Sequence, residues 1–142
     1  SIRESVHDIH ENSLSFSKGL ELLIEDFKFC EVEIRGKVPE KMDQEQERTL
    51  LMVLKEAFAN VMKHSNATKV TLSFNELPAF YRLQILDNGT LTKKSGKGIG
   101  LKSMRQRVEQ IGGQLHVSQT LDNFLIHVVL PKDTHSTFHS IH

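Results

Sequence analysis

The stretch of residues 56–64 constrains the fold and the function of this chain more than any other part of it. The apolar residues in and before this stretch recur every three to four positions, which predicts the buried face of a long helix: Leu50, Leu54, Ala57, Phe58 and Val61. Beside that face the same helix carries a carboxylate, an amide, an ammonium group and an imidazole, from Glu56, Asn60, Lys63 and His64. An amphipathic helix with a solvated flank would show the same pattern. Other parts of the chain must therefore decide between a structural and a functional interpretation.

Length and composition narrow the class of protein. The 142 residues suit a single domain with a hydrophobic core. Lys+Arg and Asp+Glu both number 18, so no net charge favours binding to nucleic acid or to an anionic membrane. A single cysteine, Cys30, excludes an internal disulfide, and no apolar run approaches the length of a membrane span. These features favour a cytoplasmic domain without membrane contact.

Hydrophobic periodicity predicts helices alternating with pairs of strands. The predicted helices cover residues 2–14, with a thin apolar stripe, residues 18–29, with Ser17 as N-cap, the long stretch from about Asp43 to His64, and residues 98–111. The predicted strands cover residues 30–35, 69–75, 81–86, 115–119 and 124–130. This order favours an α+β fold, a two-layer sandwich with a mixed sheet of about five strands covered by three helices on one face. Residues 90–97 are expected to form a loop and residues 132–142 a disordered tail.

Two further clusters contain residue types that are suited to binding a ligand. Asp87-Asn88-Gly89 follows an apolar strand, where the aspartate either shapes a turn or accepts a hydrogen bond from an exocyclic amine such as that of adenine. Gly98-Ile99-Gly100-Leu101 opens a helix after several lysines, and a glycine-rich helix N-terminus suits an anion. Tight turns before helices use the same glycines, and no P-loop pattern is present.

The three clusters together resemble the N, G1 and G2 boxes of the GHKL ATPase superfamily. Residues 55–65 are similar to the N box of sensor histidine kinases that partner LuxR/NarL-type response regulators. Asp87-Asn88-Gly89 resembles the G1 box, and residues 98–108 resemble the G2 box and its helix. The resemblance covers about residues 18–131, and the short loop before Gly98 is similar to that subfamily's compact ATP lid.

The resemblance implies the ATP-binding catalytic domain of a histidine kinase with the Bergerat (GHKL) fold. It implies that Glu56 assists phosphoryl transfer, that Asn60 holds Mg²⁺ and that Asp87 reads adenine. It also places in the nucleotide site Lys63, His64, Gly89, Lys97, Gly98, Gly100 and Leu101. The implied partners are the kinase's own dimerisation hairpin, in a homodimer, and a LuxR/NarL-type response regulator. In this interpretation residues 1–16 end the second hairpin helix and residues 17–131 form the ATP-binding domain.

The sequence departs from the family pattern at two places. The second glycine of the G1 box is absent near Thr90-Leu91, and Leu121-Asp122-Asn123-Phe124 replaces the expected Gly-Thr box. Both departures leave the nucleotide affinity open.

Histidines elsewhere in the chain do not complete the expected kinase. His7-Asp8 lies where the second hairpin helix should end, so we expect His7 and His10 to be surface or seam residues rather than the phosphate acceptor. The tail histidines have spacing that could bind a metal loosely, but solvated side chains are expected there: His135, His139 and His142.

Two other functions remain open. A serine kinase of the anti-sigma type would share the ATP fold and phosphorylate a protein serine. A binding module would use nucleotide occupancy to switch a protein contact without phosphoryl transfer, and the missing glycines are compatible with that alternative.

Overall fold

The computed structural model describes residues 15–89 and 97–132, the side chains of residues 97–99 excepted. Within these residues the helices are α1 (Phe16–Asp26), α2 (Gln44–His64) and α3 (Lys97–Gln110). The strands are β1 (Glu31–Gly36), β2 (Lys69–Glu76), β3 (Phe80–Asp87), β4 (Gln114–Gln119) and β5 (Phe124–Pro131). The predicted N-terminal helix, the lysine-rich loop at residues 90–96, the tail beyond Lys132 and the five histidines discussed for those ends lie outside the described residues.

The strands form one mixed sheet in the order β1-β2-β3-β5-β4. β1 pairs with β2 in parallel, and every other pair is antiparallel. Strand residues alternate between buried and partly exposed, as in β5, because the helices cover only one face of the sheet. The predicted two-layer sandwich is confirmed. None of its described helices is both long enough and apolar enough to cross a bilayer.

The long helix α2 is fixed at its start by a capping box. Asp43 accepts a hydrogen bond from the Gln46 backbone N–H at 2.8 Å, and the Gln46 side chain accepts one from the Asp43 N–H at 2.9 Å. The same Gln46 amide donates to the carbonyls of Pro131 and Lys132, at 2.7 and 2.8 Å, so it also ties α2 to the end of β5. The predicted core face is confirmed, since Leu50, Leu54, Ala57, Phe58 and Val61 are all buried.

Helix α1 begins earlier than its sequence predicts, and Ser17 is not its N-cap. The N-cap residue is Ser15, whose side chain makes no capping hydrogen bond. Instead, the carboxylate of Glu47 on α2 accepts a hydrogen bond from the Phe16 backbone N–H. The start of α1 is therefore set by a tertiary contact, which helix-capping rules for the local sequence do not include. The helix also ends at Asp26, earlier than predicted.

Two further features of the fold concern the edge strand β1 and the end of helix α3. Val32 packs against the core, whereas Ile34, two residues later and thus on the same face of the strand, is 41% exposed because β1 is an edge strand that the helices only partly cover. Helix α3 ends within one residue of its predicted end, before a glycine pair: Gly112 has a φ of 85°, and the Gly113 N–H donates to the Val108 carbonyl at 2.9 Å.

Candidate functional site

Asp87 is a buried carboxylate at the last position of β3. It faces the helical layer, with Val70 and Phe124 opposite it on the two neighbouring strands, and is only 4% exposed. Its Oδ1 accepts hydrogen bonds from the Gly89 backbone N–H at 2.9 Å and from the Ser65 hydroxyl at 3.3 Å. Burial of a carboxylate costs free energy that hydrogen bonds offset only in part. Buried acidic groups occur preferentially at functional sites, so Asp87 is a candidate site residue.

The turn after Asp87 holds that carboxylate in place. Asn88 accepts hydrogen bonds from the N–H groups of Thr68 and Lys69, at 2.9 and 3.1 Å, and its amide donates to the Thr68 hydroxyl at 3.0 Å. Gly89 has no space for a side chain, since a Cβ there would collide with the Ser65 hydroxyl. Asn88 thus makes the hydrogen bonds that join this turn to Thr68 and Lys69.

A small cavity separates Asp87 from helix α2. Its volume is about 10 Å³, room for about one water molecule, and its lining residues are Ala57, Asn60, Val61, Ile85, Asp87, Phe124 and Ile126. Asn60 is 6% exposed, and its Nδ2 is buried without a hydrogen-bond partner among the described residues. A native amide in this state needs a further partner. The structure therefore brings Asn60 and Asp87 to one cavity, as their predicted roles require.

Glu56, one helical turn before Asn60, lies against the start of α3. A Cβ placed on Gly100 would lie 2.6 Å from the Glu56 Oε2, so the carboxylate lies directly against the first turn of α3. The N–H groups of a first helical turn have no partner within the helix, and they favour anions. Gly98 lies in the same turn, and Leu101 packs partly buried against the core. The N-box carboxylate and the glycine-rich turn thus meet in space.

In the described part of the chain, only Asn60 and Asp87 of the predicted nucleotide residues line the cavity. Gly89 and Gly100 contact Asp87 and Glu56, but no described contact links the next three residues to the site. Lys63 is exposed and lines a groove on the other side of α2, together with Leu23 and Phe27 of the α1 region. His64 is half-buried at the last position of α2, and the side chain of Lys97 is not described. Their roles remain predictions.

The charge of Asp87 acts on the one cysteine. Burial raises the pKa of the Cys30 thiol above its usual range, and the nearby charges of Asp87 and Glu31 raise it further. Cys30 is therefore a protonated, weakly nucleophilic thiol at neutral pH.

Two residues of the site were missed in the sequence. Ser65, which has no role of its own in the sequence analysis, donates to Asp87 and accepts from the Ala67 N–H at 3.0 Å. Phe124 appears in the sequence analysis as part of the segment that replaces the Gly-Thr box. In the structure it pairs with Asp87 on the neighbouring strand and lines the cavity. Both contacts join distant positions of the chain, and no local pattern encodes them.

The donor set of the cavity fits an adenine nucleotide with Mg²⁺. Asp87 is an acceptor suited to the exocyclic amine of adenine. The Asn60 side-chain oxygen is a normal ligand for Mg²⁺ that takes its other ligands from phosphates and water. The first turn of α3, against which Glu56 lies, is the described feature suited to the phosphates of such a ligand.

Comparison with known proteins gave consistent matches. A family model described as "Histidine kinase-, DNA gyrase B-, and HSP90-like ATPase" matches residues 45–134. The sensor protein VraS of Staphylococcus aureus is 32% identical over 111 residues, covering 70% of this chain and 32% of VraS, and VraS of Staphylococcus epidermidis matches equally. The chain thus spans about one third of the length of these curated relatives.

Solved structures show the same fold. The histidine kinase AdeS of Acinetobacter baumannii superposes with a TM-score of 0.69 at 18% identity, covering 84% of this chain and 66% of that structure. The histidine kinase domain of the blue-light activated kinase EL346 of Erythrobacter litoralis gives 0.69 at 14% identity, covering 88% and 63%. At these identities the likeness is one of fold.

Proposed function

This chain belongs to the histidine kinase-, DNA gyrase B- and HSP90-like ATPase family, and from that premise we propose that it is the ATP-binding catalytic domain of a sensor histidine kinase. The domain binds ATP with Mg²⁺ and presents the γ-phosphate to a histidine on the dimerisation hairpin of the intact kinase. The phosphate then passes to a response regulator, which we propose to be of the LuxR/NarL type because residues 55–65 resemble the N box of that subfamily. Because ATP is a cytoplasmic substrate, we propose that the domain acts in the cytoplasm.

One observation supports this proposal above the others: a buried carboxylate and an unpartnered buried amide meet at one cavity between α2 and the sheet. Asp87 and Asn60 are 4% and 6% exposed, and they come from two of the three clusters of the sequence. A turn or a solvated helix flank would not bury both groups against each other.

The residues of the chain divide the work between binding and proton handling. Asp87, held by Gly89 and Ser65, accepts a hydrogen bond from the amine of adenine, and it rejects guanine, which carries a carbonyl at that position. The N–H groups of the first turn of α3 receive phosphate oxygens. Glu56, beside that turn, accepts a proton when the nucleophile attacks. Asn60 would be among the ligands of a bound Mg²⁺, which would neutralise charge on the phosphates.

The test is a calorimetric titration of the 142-residue chain with a non-hydrolysable ATP analogue and Mg²⁺. We expect binding of the ATP analogue, no binding of the matching GTP analogue, and loss of binding in Asp87→Asn. Asp122→Asn, in the exposed turn before β5, is the matched control and should bind as the unaltered chain does. Equal binding of both analogues, or full binding by Asp87→Asn, would contradict the proposal.

The nature of the phosphorylated product separates this proposal from its alternatives. Phosphohistidine is labile to acid and phosphoserine is not, so an acid-stable product of the intact protein would favour the serine kinase. Nucleotide binding without any phosphorylated product would favour the binding module.

A further inference from the structure

The cavity beside Asp87 is too small for the base that the proposed function places there. Its volume of about 10 Å³ holds about one water molecule, whereas adenine is a fused two-ring base. Within the described part of the chain, a lining side chain must therefore move before a nucleotide base can reach Asp87. Protein cores are close-packed, so the required space must come from a discrete displacement rather than from uniform expansion.

Phe124 is the lining residue best placed to make that space. It is the largest side chain around the cavity, and it lies directly across the sheet from Asp87 in the strand register. Phe124 is also buried, at 5% exposed, but the aliphatic lining residues are interior positions of their helix or strands: Val61, Ile85 and Ile126 are 3%, 3% and 1% exposed. Moving any of them would open the centre of the core.

Phe124 lies at the end of its strand that is next to the protein surface. Phe124 is the first residue of β5 and follows a turn at the surface, where Leu121 is 74% exposed. The turn itself is closed by hydrogen bonds between Thr120 and Asn123, at 2.9 Å between the Thr120 backbone nitrogen and the Asn123 carbonyl oxygen. Among the apolar lining side chains, the ring of Phe124 is therefore the one that adjoins a solvent-exposed turn.

We propose that Phe124 is the residue that controls access to the base pocket: its ring occupies the adenine position in the closed state and rotates away from Asp87 when the nucleotide binds. The proposal rests on the proposed function, since it concerns the same pocket. The apparent dissociation constant then equals the intrinsic constant divided by the fraction of molecules with the ring rotated out. Phe124 thus sets a low resting affinity for ATP in this domain.

Replacement of the ring by a small β-branched side chain tests the proposal. Phe124→Val and Phe124→Thr both suit a strand and both remove the ring. We expect each to lower the apparent dissociation constant of the ATP analogue about tenfold or more, and that of free adenosine by a similar factor, because the ring obstructs the base alone. In Asp87→Asn/Phe124→Val the gain should disappear.

Phe74→Val is the matched control. Phe74 is equally buried, at 3% exposed, and lies on β2 with its ring 5.8 Å from that of Phe16, away from the cavity. Phe74→Val removes the same side-chain atoms as Phe124→Val, and from the same hydrophobic core. Thermal unfolding should therefore report a comparable loss of stability, while the nucleotide affinity stays unchanged. If Phe124→Thr does not fold, Phe124→Val carries the test.

Each outcome decides between distinct conclusions. If Phe124→Val and Phe124→Thr gain nucleotide affinity equally and Phe74→Val gains none, the result supports occlusion of the pocket by the Phe124 ring. A gain for Thr alone would show a hydroxyl contact instead and overturn the proposal. Asp87-dependent binding by the unaltered chain with no gain in either Phe124 variant would overturn it and leave the proposed function intact. Folded protein that binds no adenine compound in any variant would overturn the proposed function itself, and this proposal with it.

Discussion

At the scale of single residues, Glu47 caps a helix although burial of its carboxylate is unfavourable. Its carboxylate is 8% exposed and caps α1 through the Phe16 N–H. Burial raises the pKa of Glu47, the hydrogen bond from Phe16 partly opposes this, and the charge of Asp43 adds to the rise. The folded state therefore binds the Glu47 proton more tightly than the unfolded state does. The resulting stabilisation is complete below the pKa that Glu47 has in the unfolded state, and it is lost as the pH rises through the raised pKa of the folded state.

We therefore predict opposite effects for two substitutions of Glu47. Glu47→Gln keeps an acceptor oxygen for Phe16 and carries no charge, so it should be at least as stable as the unaltered chain at pH 7 and lose its pH-dependent advantage near pH 4. Glu47→Ala removes the cap and should cost about 1 kcal/mol at pH 7. Urea unfolding at both pH values measures this. Exposed Glu45→Gln is the control, and a Glu47→Gln variant less stable than Glu47→Ala would contradict the account.

Gly100 gives a second prediction at the residue scale, because stability and binding should separate there. A Cβ at this position meets only the far end of the Glu56 side chain, at 2.6 Å from Oε2, and that end can move. Alanine is the better helix former by about 1 kcal/mol. We expect Gly100→Ala to unfold at the same or a higher temperature while its affinity for the ATP analogue falls about tenfold, because the displaced carboxylate and the added methyl crowd the phosphate position.

The control for Gly100 is Ser103→Ala, an exposed position on the same helix that should change neither property. Unaltered nucleotide affinity in a folded Gly100→Ala variant would show that the phosphates do not approach this turn.

At the scale of elements, Gln46 joins two parts of the sandwich that are distant in sequence. Its side chain completes the capping box of α2 and also donates to the carbonyls of Pro131 and Lys132. Gln46→Leu keeps the volume but leaves these buried carbonyls unsatisfied, which should cost about 2–4 kcal/mol. Urea unfolding measures the loss, with exposed Gln44→Leu as the control. A loss below about 0.5 kcal/mol would mean that water replaces the amide.

The sequence predicts elements well where one periodic pattern dominates and poorly where a distant residue intervenes. The buried face of α2, the strand pairs and the stop at Gly112 follow from local spacing and glycine chemistry. The start of α1 does not, because Glu47 provides its cap from another helix. The exposure of Ile34 likewise depends on β1 being an edge strand, which only the sheet order reveals.

The same distinction applies to the site. Asn60 and Asp87 are predicted from residue type and position, and their meeting at one cavity follows once α2 covers the end of β3. Ser65 and Phe124 join the site only through contacts made across the fold, and the small volume of the cavity depends on packing that spacing rules do not contain.

At the scale of the whole molecule, the domain supplies only part of the proposed reaction, because the proposal places the acceptor histidine on the dimerisation hairpin. Binding and transfer can therefore be separated by substitution. In the proposal Asp87 and Phe124 act on the base, whereas Glu56 lies against the first turn of α3, where the phosphates are expected. A residue that only accepts a proton during transfer should have no effect on the ground-state complex.

The last prediction follows for the intact kinase. Glu56→Gln keeps the size of the side chain and its contact with α3 but removes the basic carboxylate, so the affinity for the ATP analogue should stay the same. Formation of acid-labile phosphohistidine should fall about 100-fold, the lower range for loss of a general base. Glu109→Gln, on the exposed side of α3, is the control and should retain full activity. A Glu56→Gln kinase that phosphorylates its histidine at the normal rate would assign Glu56 to holding the glycine turn rather than to the proton, whereas weaker binding with a normal transfer step would assign it to the nucleotide.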